Sequence, residues 1–163
     1  MESLTRLSHQ VGALLRDHQQ VLTTAESCTG GGIATVITDI AGSSTWFDRA
    51  FITYSNESKM DMVDVSELTL EQHGAVSEQV VKEMAQGALR HSNATVAIAV
   101  SGIAGPGGGS ADKPVGMVCF AWAEWHKEVD IQTQYFSGSR AQIRQQVIHH
   151  ALSHLESKLI TQQ

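Results

Sequence analysis

A three-layer α/β/α sandwich on a mixed, mainly parallel five-stranded sheet is the fold this sequence predicts. Three observations lead there. Segments of helical and of strand period alternate along the chain, which calls for helices packed on a sheet. Ala94 to Val100 is an unbroken apolar run of strand length, as a strand buried on both faces requires. A short turn separates the last two strand candidates, which must therefore pair antiparallel.

Leu4, Leu7, Val11, Leu14 and Leu15 recur at helical spacing and predict an opening helix ending near Asp17. Val21 to Ala25 reads as the first strand. Gly30 to Ile40 reads as a helix that Ala41-Gly42-Ser43-Ser44 breaks. Ala50 to Tyr54 is the second strand candidate, with a short helix through Lys59 and Met62 behind it. Ser77 is placed to cap a helix that carries Val80, Val81, Met84, Ala88 and Leu89 on one face. Ala94 to Val100 is the third strand, followed by a glycine-rich loop. Val115 to Ala123 and Glu128 to Phe136 are the hairpin strands, and a helix from Ser139 to about Leu159 closes the chain.

The 163 residues, 42% hydrophobic, suit one domain with a real core and contain no repeat or linker. A net charge of -6 speaks against nucleic-acid binding, which needs a basic patch to displace counterions. The two cysteines, Cys28 and Cys119, are far apart, which excludes a disulfide scaffold and a cysteine-rich zinc site. The opening helix is amphipathic and polar, unlike a signal peptide. The longest apolar runs are about half of the ~20 residues a membrane helix needs. A cytoplasmic protein without membrane association is expected.

Ligands of open α/β sheets gather at the carboxyl ends of strands. Glu26 to Gly32, Ser101 to Pro114 and Ser137 to Arg140 all follow strand candidates there, and all are rich in glycine and serine. In the first, Ser27 stands between a strand and a helix start. Backbone N–H groups of Thr29, Gly30 and Gly31 are placed to stabilise an oxyanion beside it. The same spacing suits a plain turn in which Ser27 or Thr29 caps the helix. Cys28 is a rival nucleophile, because a helix amino terminus lowers a thiol pKa; a buried, inert cysteine is the alternative.

The second segment, including Ser101, Gly102, Gly105 and Gly107, offers amides for a phosphate nest but ends in no Gly-Lys-Ser/Thr, so it is not a P-loop. Arg140, near a helix start, suits a phosphate or carboxylate. A serine nucleophile needs a base, and none of the three segments contains a histidine. Lys59 fills that role if sheltered enough to be neutral, with Tyr54 to hold it or relay a proton. An exposed helical lysine is the ordinary alternative. His149, His150 and His154 lie on one helix but lack an evident third ligand pattern, so no metal and no cofactor are called for.

Taken together, several strings resemble the C-terminal domain of the CinA (competence/damage-inducible) family. They are Thr24-Ala25-Glu26-Ser27-Cys28-Thr29-Gly30-Gly31, Ile40-Ala41-Gly42-Ser43-Ser44 and Thr53-Tyr54-Ser55-Asn56-Glu57-Ser58-Lys59. His73-Gly74-Ala75-Val76-Ser77, Ser101-Gly102-Ile103-Ala104-Gly105-Pro106, Lys113-Pro114-Val115-Gly116 and Phe136-Ser137-Gly138-Ser139-Arg140 continue the likeness through nearly the whole chain, in order. The resemblance implies one amidohydrolase domain over residues 1–163. It implies deamidation of a pyridine nucleotide, nicotinamide mononucleotide, with Ser27 as nucleophile, Lys59 as base and the Tyr54 hydroxyl in support. It also implies self-association as a dimer or larger. Longer members carry a further N-terminal domain with a second activity, which this sequence does not include. Two other classes stay open on the residues alone: a noncatalytic nucleotide-binding or assembly module, and a metal hydrolase using the terminal histidines.

Overall fold

Apolar side chains at helical spacing fold the first segment into α1 (Leu4–Asp17), with the Ser3 hydroxyl accepting from the Arg6 N–H at its start. The computed structural model describes residues 3–162. β1 (Leu22–Glu26), α2 (Gly32–Thr38), β2 (Phe47–Ile52), α3 (Asn56–Val63), α4 (Glu67–His73) and α5 (Glu78–Arg90) follow. The chain ends with β3 (Val96–Gly102), β4 (Met117–Glu124), β5 (Asp130–Tyr135) and α6 (Arg140–Thr161).

The five strands form one sheet in the order β2-β1-β3-β4-β5. β1 pairs parallel with β2 and β3, and β4 pairs antiparallel with β3 and β5. β4 alone therefore runs against the other four, so β5 ends at the same edge as β1, β2 and β3. That answers a question the sequence leaves open: all three polar segments reach one edge.

Alternation along the strands divides the core. Val96, Ile98, Val100, Val118, Phe120 and Trp122 pack against α1, α2 and α6 on one face. The other face of β3 and β4 shows small side chains (Ala97, Ala99, Cys119, Ala121 and Ala123), with Met117 at its end, and α5 lies on it. Helices thus cover both faces, as the alternating pattern predicts. Among the described residues no helix is long and apolar enough to cross a membrane.

Boundaries differ from the sequence reading where backbone constraints outweigh side-chain pattern. α2 begins at Gly32, two residues late, because Gly30 and Gly31 stand at φ 58° and 94°, outside the helical region. β2 starts at Phe47 rather than Ala50, and the ladder is entered by the Leu22 N–H donating to Trp46 O. α4 is not foreseen: it buries no residue, so no apolar stripe marks it.

Gly87 of α5 is a point of close approach, since a Cβ there would stand 1.7 Å from the Val63 carbonyl oxygen at the end of α3. Gly87→Ala should therefore destabilise the protein by roughly 1–3 kcal/mol, despite the ~1 kcal/mol by which alanine favours a helix. Urea unfolding measures this; an unchanged or raised midpoint would show that α3 and α5 can separate freely.

Candidate active site

Three successive residues at the end of β1 alternate between the two faces of the sheet. The Glu26 carboxylate turns toward α2, accepting from the Ile33 and Ala34 N–H groups at 2.9 and 3.0 Å. Ser27 turns the other way, toward α3, while its own N–H donates to Val100 O of β3. Cys28 returns to the apolar cluster beneath α1, α2 and α6. This alternation, continuing the strand's, presents the hydroxyl and not the thiol to α3.

What meets Ser27 is Lys59. The Ser55 and Ser58 side chains form a reciprocal capping box that starts α3 directly after β2. Because β2 lies beside β1, the first turn of α3 delivers Lys59 to the serine, with Nζ 3.1 Å from Ser27 Oγ. Nζ also donates to Thr53 O at 2.8 Å and Tyr54 O at 3.3 Å. Lys59 is 1% exposed and Ser27 8%. Removal from water disfavours the charged amine and lowers the Lys59 pKa.

These residues floor a cavity of about 270 Å³ whose walls include Tyr54, Ser101, Gly102, Gly105, Gly107 and Arg140. The cavity opens between the carboxyl ends of β1 and β3, where the chain's crossovers pass to opposite faces of the sheet. Arg140 Nη1 donates to Gly105 O at 2.8 Å and Nη2 to the Tyr54 hydroxyl at 3.2 Å, which ties the second and third polar segments to the stretch that follows β2. The Ser101 hydroxyl donates to Ala75 O at 2.8 Å.

Some sequence expectations change. Thr29, Gly30 and Gly31 do not line the cavity. The Thr29 hydroxyl donates to Glu26 Oε1 at 2.6 Å and the Gly30 N–H to Ser27 O, and both bonds hold the turn. The Tyr54 hydroxyl pairs with Arg140, and it is the Tyr54 carbonyl that reaches Lys59. Cys28 is not activated: burial pushes its thiol pKa up to about 12, against any lowering by the helix start. Among the described residues no group of three or more His, Cys, Asp or Glu is arranged for a metal ion. His150 and His154 are instead engaged by Gln132 and Asp130 at 2.8 and 2.7 Å, and burial lowers the His150 pKa.

The sequence reading missed Asn56 and Val76, which also line the cavity, and the contacts of Glu26 and Arg144. Arg144, one turn after Arg140 on α6, donates from Nε to Cys28 O at 3.1 Å and from Nη2 to Thr29 O at 3.0 Å. A carboxylate ending a buried strand, four residues after Leu22, was the one available signal for Glu26.

Known proteins share this chain's sequence and fold over nearly its whole length. The nicotinamide-nucleotide amidohydrolase PncC of Escherichia coli is 56% identical over 152 residues, spanning 93% of this chain and 92% of that protein. The protein of the same name from Pseudomonas putida is 46% identical over 155 residues, covering 95% of this chain and 96% of its own length. The competence damage-inducible protein A (ComA) of Klebsiella pneumoniae superposes with a TM-score of 0.95 at 36% identity, over 99% of this chain and 100% of that one. Competence/damage inducible protein CihA of Agrobacterium tumefaciens superposes with a TM-score of 0.92 at 43% identity, over 96% of each chain. The CinA C-terminal domain profile matches residues 4–159, and the chain belongs to that family.

Proposed function

We propose that this protein hydrolyses the carboxamide of nicotinamide mononucleotide, releasing ammonia and nicotinate mononucleotide, through a Ser27–Lys59 dyad. The observation that carries the reading is the buried lysine amine 3.1 Å from the serine hydroxyl. The substrate class comes from the relatives named nicotinamide-nucleotide amidohydrolase, which match nearly end to end.

The bonding around Nζ accommodates a neutral amine. Its two N–H groups are taken by the Thr53 and Tyr54 carbonyls, leaving the lone pair for the Ser27 hydroxyl. Lys59 then accepts the Ser27 proton as Oγ attacks the amide carbon. The ammonium formed returns a proton to the departing ammonia. Water, deprotonated by the same amine, releases the acid and restores the serine. The oxyanion is assigned to backbone amides of the cavity wall, from Cys28 and the Ser101–Gly108 loop, rather than to Thr29–Gly31. Arg140 holds the phosphate at the rim, so binding energy remote from the reacting bond orients the amide.

Ammonia release from nicotinamide mononucleotide tests the dyad. Ser27→Ala and Lys59→Ala should each lose at least ~10³-fold in kcat, and full activity in Ser27→Ala would remove the nucleophile.

Burial also sets a pH dependence. Since Lys59 must be neutral, kcat/KM should climb with pH along a limb below the ordinary lysine value of ~10.4. The same shift acts on stability. The folded state binds a proton at Lys59 less readily than the unfolded chain, so the penalty for holding it is full below the folded pKa. It shrinks as pH rises and is gone above ~10.4. Lys59→Met should accordingly be more stable than the parent, by a margin that narrows with rising pH in paired urea titrations. A constant margin would mean that Lys59 titrates alike in both states.

Arg140→Ala should raise KM for the mononucleotide about 10-fold or more, the loss of a charge-assisted contact, with a smaller change in kcat. An unchanged KM would move the phosphate elsewhere.

A further inference from the structure

Neither Glu26 nor Arg144 lines the cavity, yet between them they bond the Thr29 hydroxyl, two carbonyls of the turn that carries Ser27, and the helix start into which that turn runs. Glu26 is fully buried. Its carboxylate accepts four hydrogen bonds: from the Thr24 hydroxyl at 3.0 Å, the Thr29 hydroxyl at 2.6 Å, and the Ile33 and Ala34 N–H groups at 2.9 and 3.0 Å. Those last two are amides of the first turn of α2, which otherwise have no intrahelical acceptor. The carboxylate therefore fixes the start of α2 against the end of β1, seven and eight residues apart in sequence. Arg144 fixes the same turn from α6, its guanidinium spanning two consecutive carbonyls, Cys28 O and Thr29 O.

We infer that Glu26 and Arg144 are positioning residues for the Ser27 nucleophile: an anion gathers the donors of the turn, a cation gathers its acceptors, and the hydroxyl is left aimed at Lys59. The inference rests on the Ser27–Lys59 reading above. Both charges are needed because the turn exposes both kinds of backbone group within a few residues. Gly30 and Gly31, at positive φ, give it little stiffness of its own. Arg144 Nη2 would lie only 3.4 Å from a Cβ at Gly30, so the guanidinium lies directly against that soft point. A lysine there cannot span two carbonyls with a planar fork. A glutamine at 26 would turn an N–H₂ toward N–H or O–H donors.

A misplacement of ~1 Å at a nucleophile can cost up to 10²-fold in rate. Glu26→Gln and Arg144→Lys should therefore lower kcat roughly 10- to 100-fold, with KM for nicotinamide mononucleotide within about twofold. Because Lys59 and its carbonyl partners are untouched, the pH limb of kcat/KM should stay in place. Thr29→Val, which deletes one hydroxyl from the set and nothing else, should give a smaller loss that Thr29→Ser restores; it serves if either charged variant fails to fold.

A second readout does not need the nucleotide. A fluorophosphonate should phosphonylate Ser27, forming an O–P bond and expelling fluoride, with the proton going to Lys59. Mass spectrometry gives the rate, which should fall in the variants in step with kcat. Variants that are folded by circular dichroism but keep parental kcat and labelling rate would overturn the inference. So would a shifted pH limb, or a loss confined to KM. If Ser27→Ala kept its activity, the nucleophile reading itself would fail and the clamp with it, an outcome distinct from normal rates in the clamp variants.

Discussion

A lysine amine held out of water is the constraint around which this protein is arranged. An ammonium taken into a protein interior loses several kcal/mol of hydration unless it finds partners or gives up its proton. Here the partners are two carbonyls and a hydroxyl, with no carboxylate bonded to Nζ. An adjacent carboxylate would have stabilised the charged form and kept the amine from acting as a base. With no carboxylate to hold the charge, burial favours the uncharged amine. The neighbouring carboxylate, Glu26, faces the opposite side of β1 and is satisfied by α2.

The fold supplies the rest by geometry. Four of the five strands run one way, so their carboxyl ends deliver Ser27, Tyr54, Ser101 and the Ser137–Arg140 segment to one edge. The loop after β3 has to cross that edge again to start the reversed β4, and the crossing makes the cavity wall. Arg140 and Arg144 sit one turn apart on α6 and do different work. The first faces the rim and the second lies beneath the serine turn.

Much of this was legible beforehand, and the rest was hidden for identifiable reasons. Period and apolar runs gave every strand and most helices, because each depends on near neighbours in sequence. α4 escaped because it buries nothing. The Ser27–Lys59 contact joins residues 32 apart and exists only because β2 lies beside β1; the residues suggested chemistry, while their meeting is a property of strand order. Glycines at 30 and 31 invited an oxyanion hole at that stretch. What spacing could not reveal was that this stretch would turn away from the cavity, with Glu26 drawing the Thr29 hydroxyl and the Ile33 and Ala34 amides to itself. Cys28 likewise stood at a helix start, where a thiol is ordinarily activated, and only its burial decides against it.

Ser27 and Lys59 belong to different layers. The serine turn runs into α2, on the face shared with α1 and α6, whereas the lysine rises from α3, on the face shared with α5. What joins the two is the parallel pairing of β1 with β2, where Glu26 stands opposite Ile52 and the Thr53 N–H donates to Glu26 O. One step of slip along that ladder would be about 3.3 Å, as long as the Ser–Lys hydrogen bond itself. The spacing of Ser27 and Lys59 is therefore a matter of register. It is set by which residues of two neighbouring strands face each other, so the sheet that forms the core of the fold also sets the distance between the lysine amine and the serine hydroxyl.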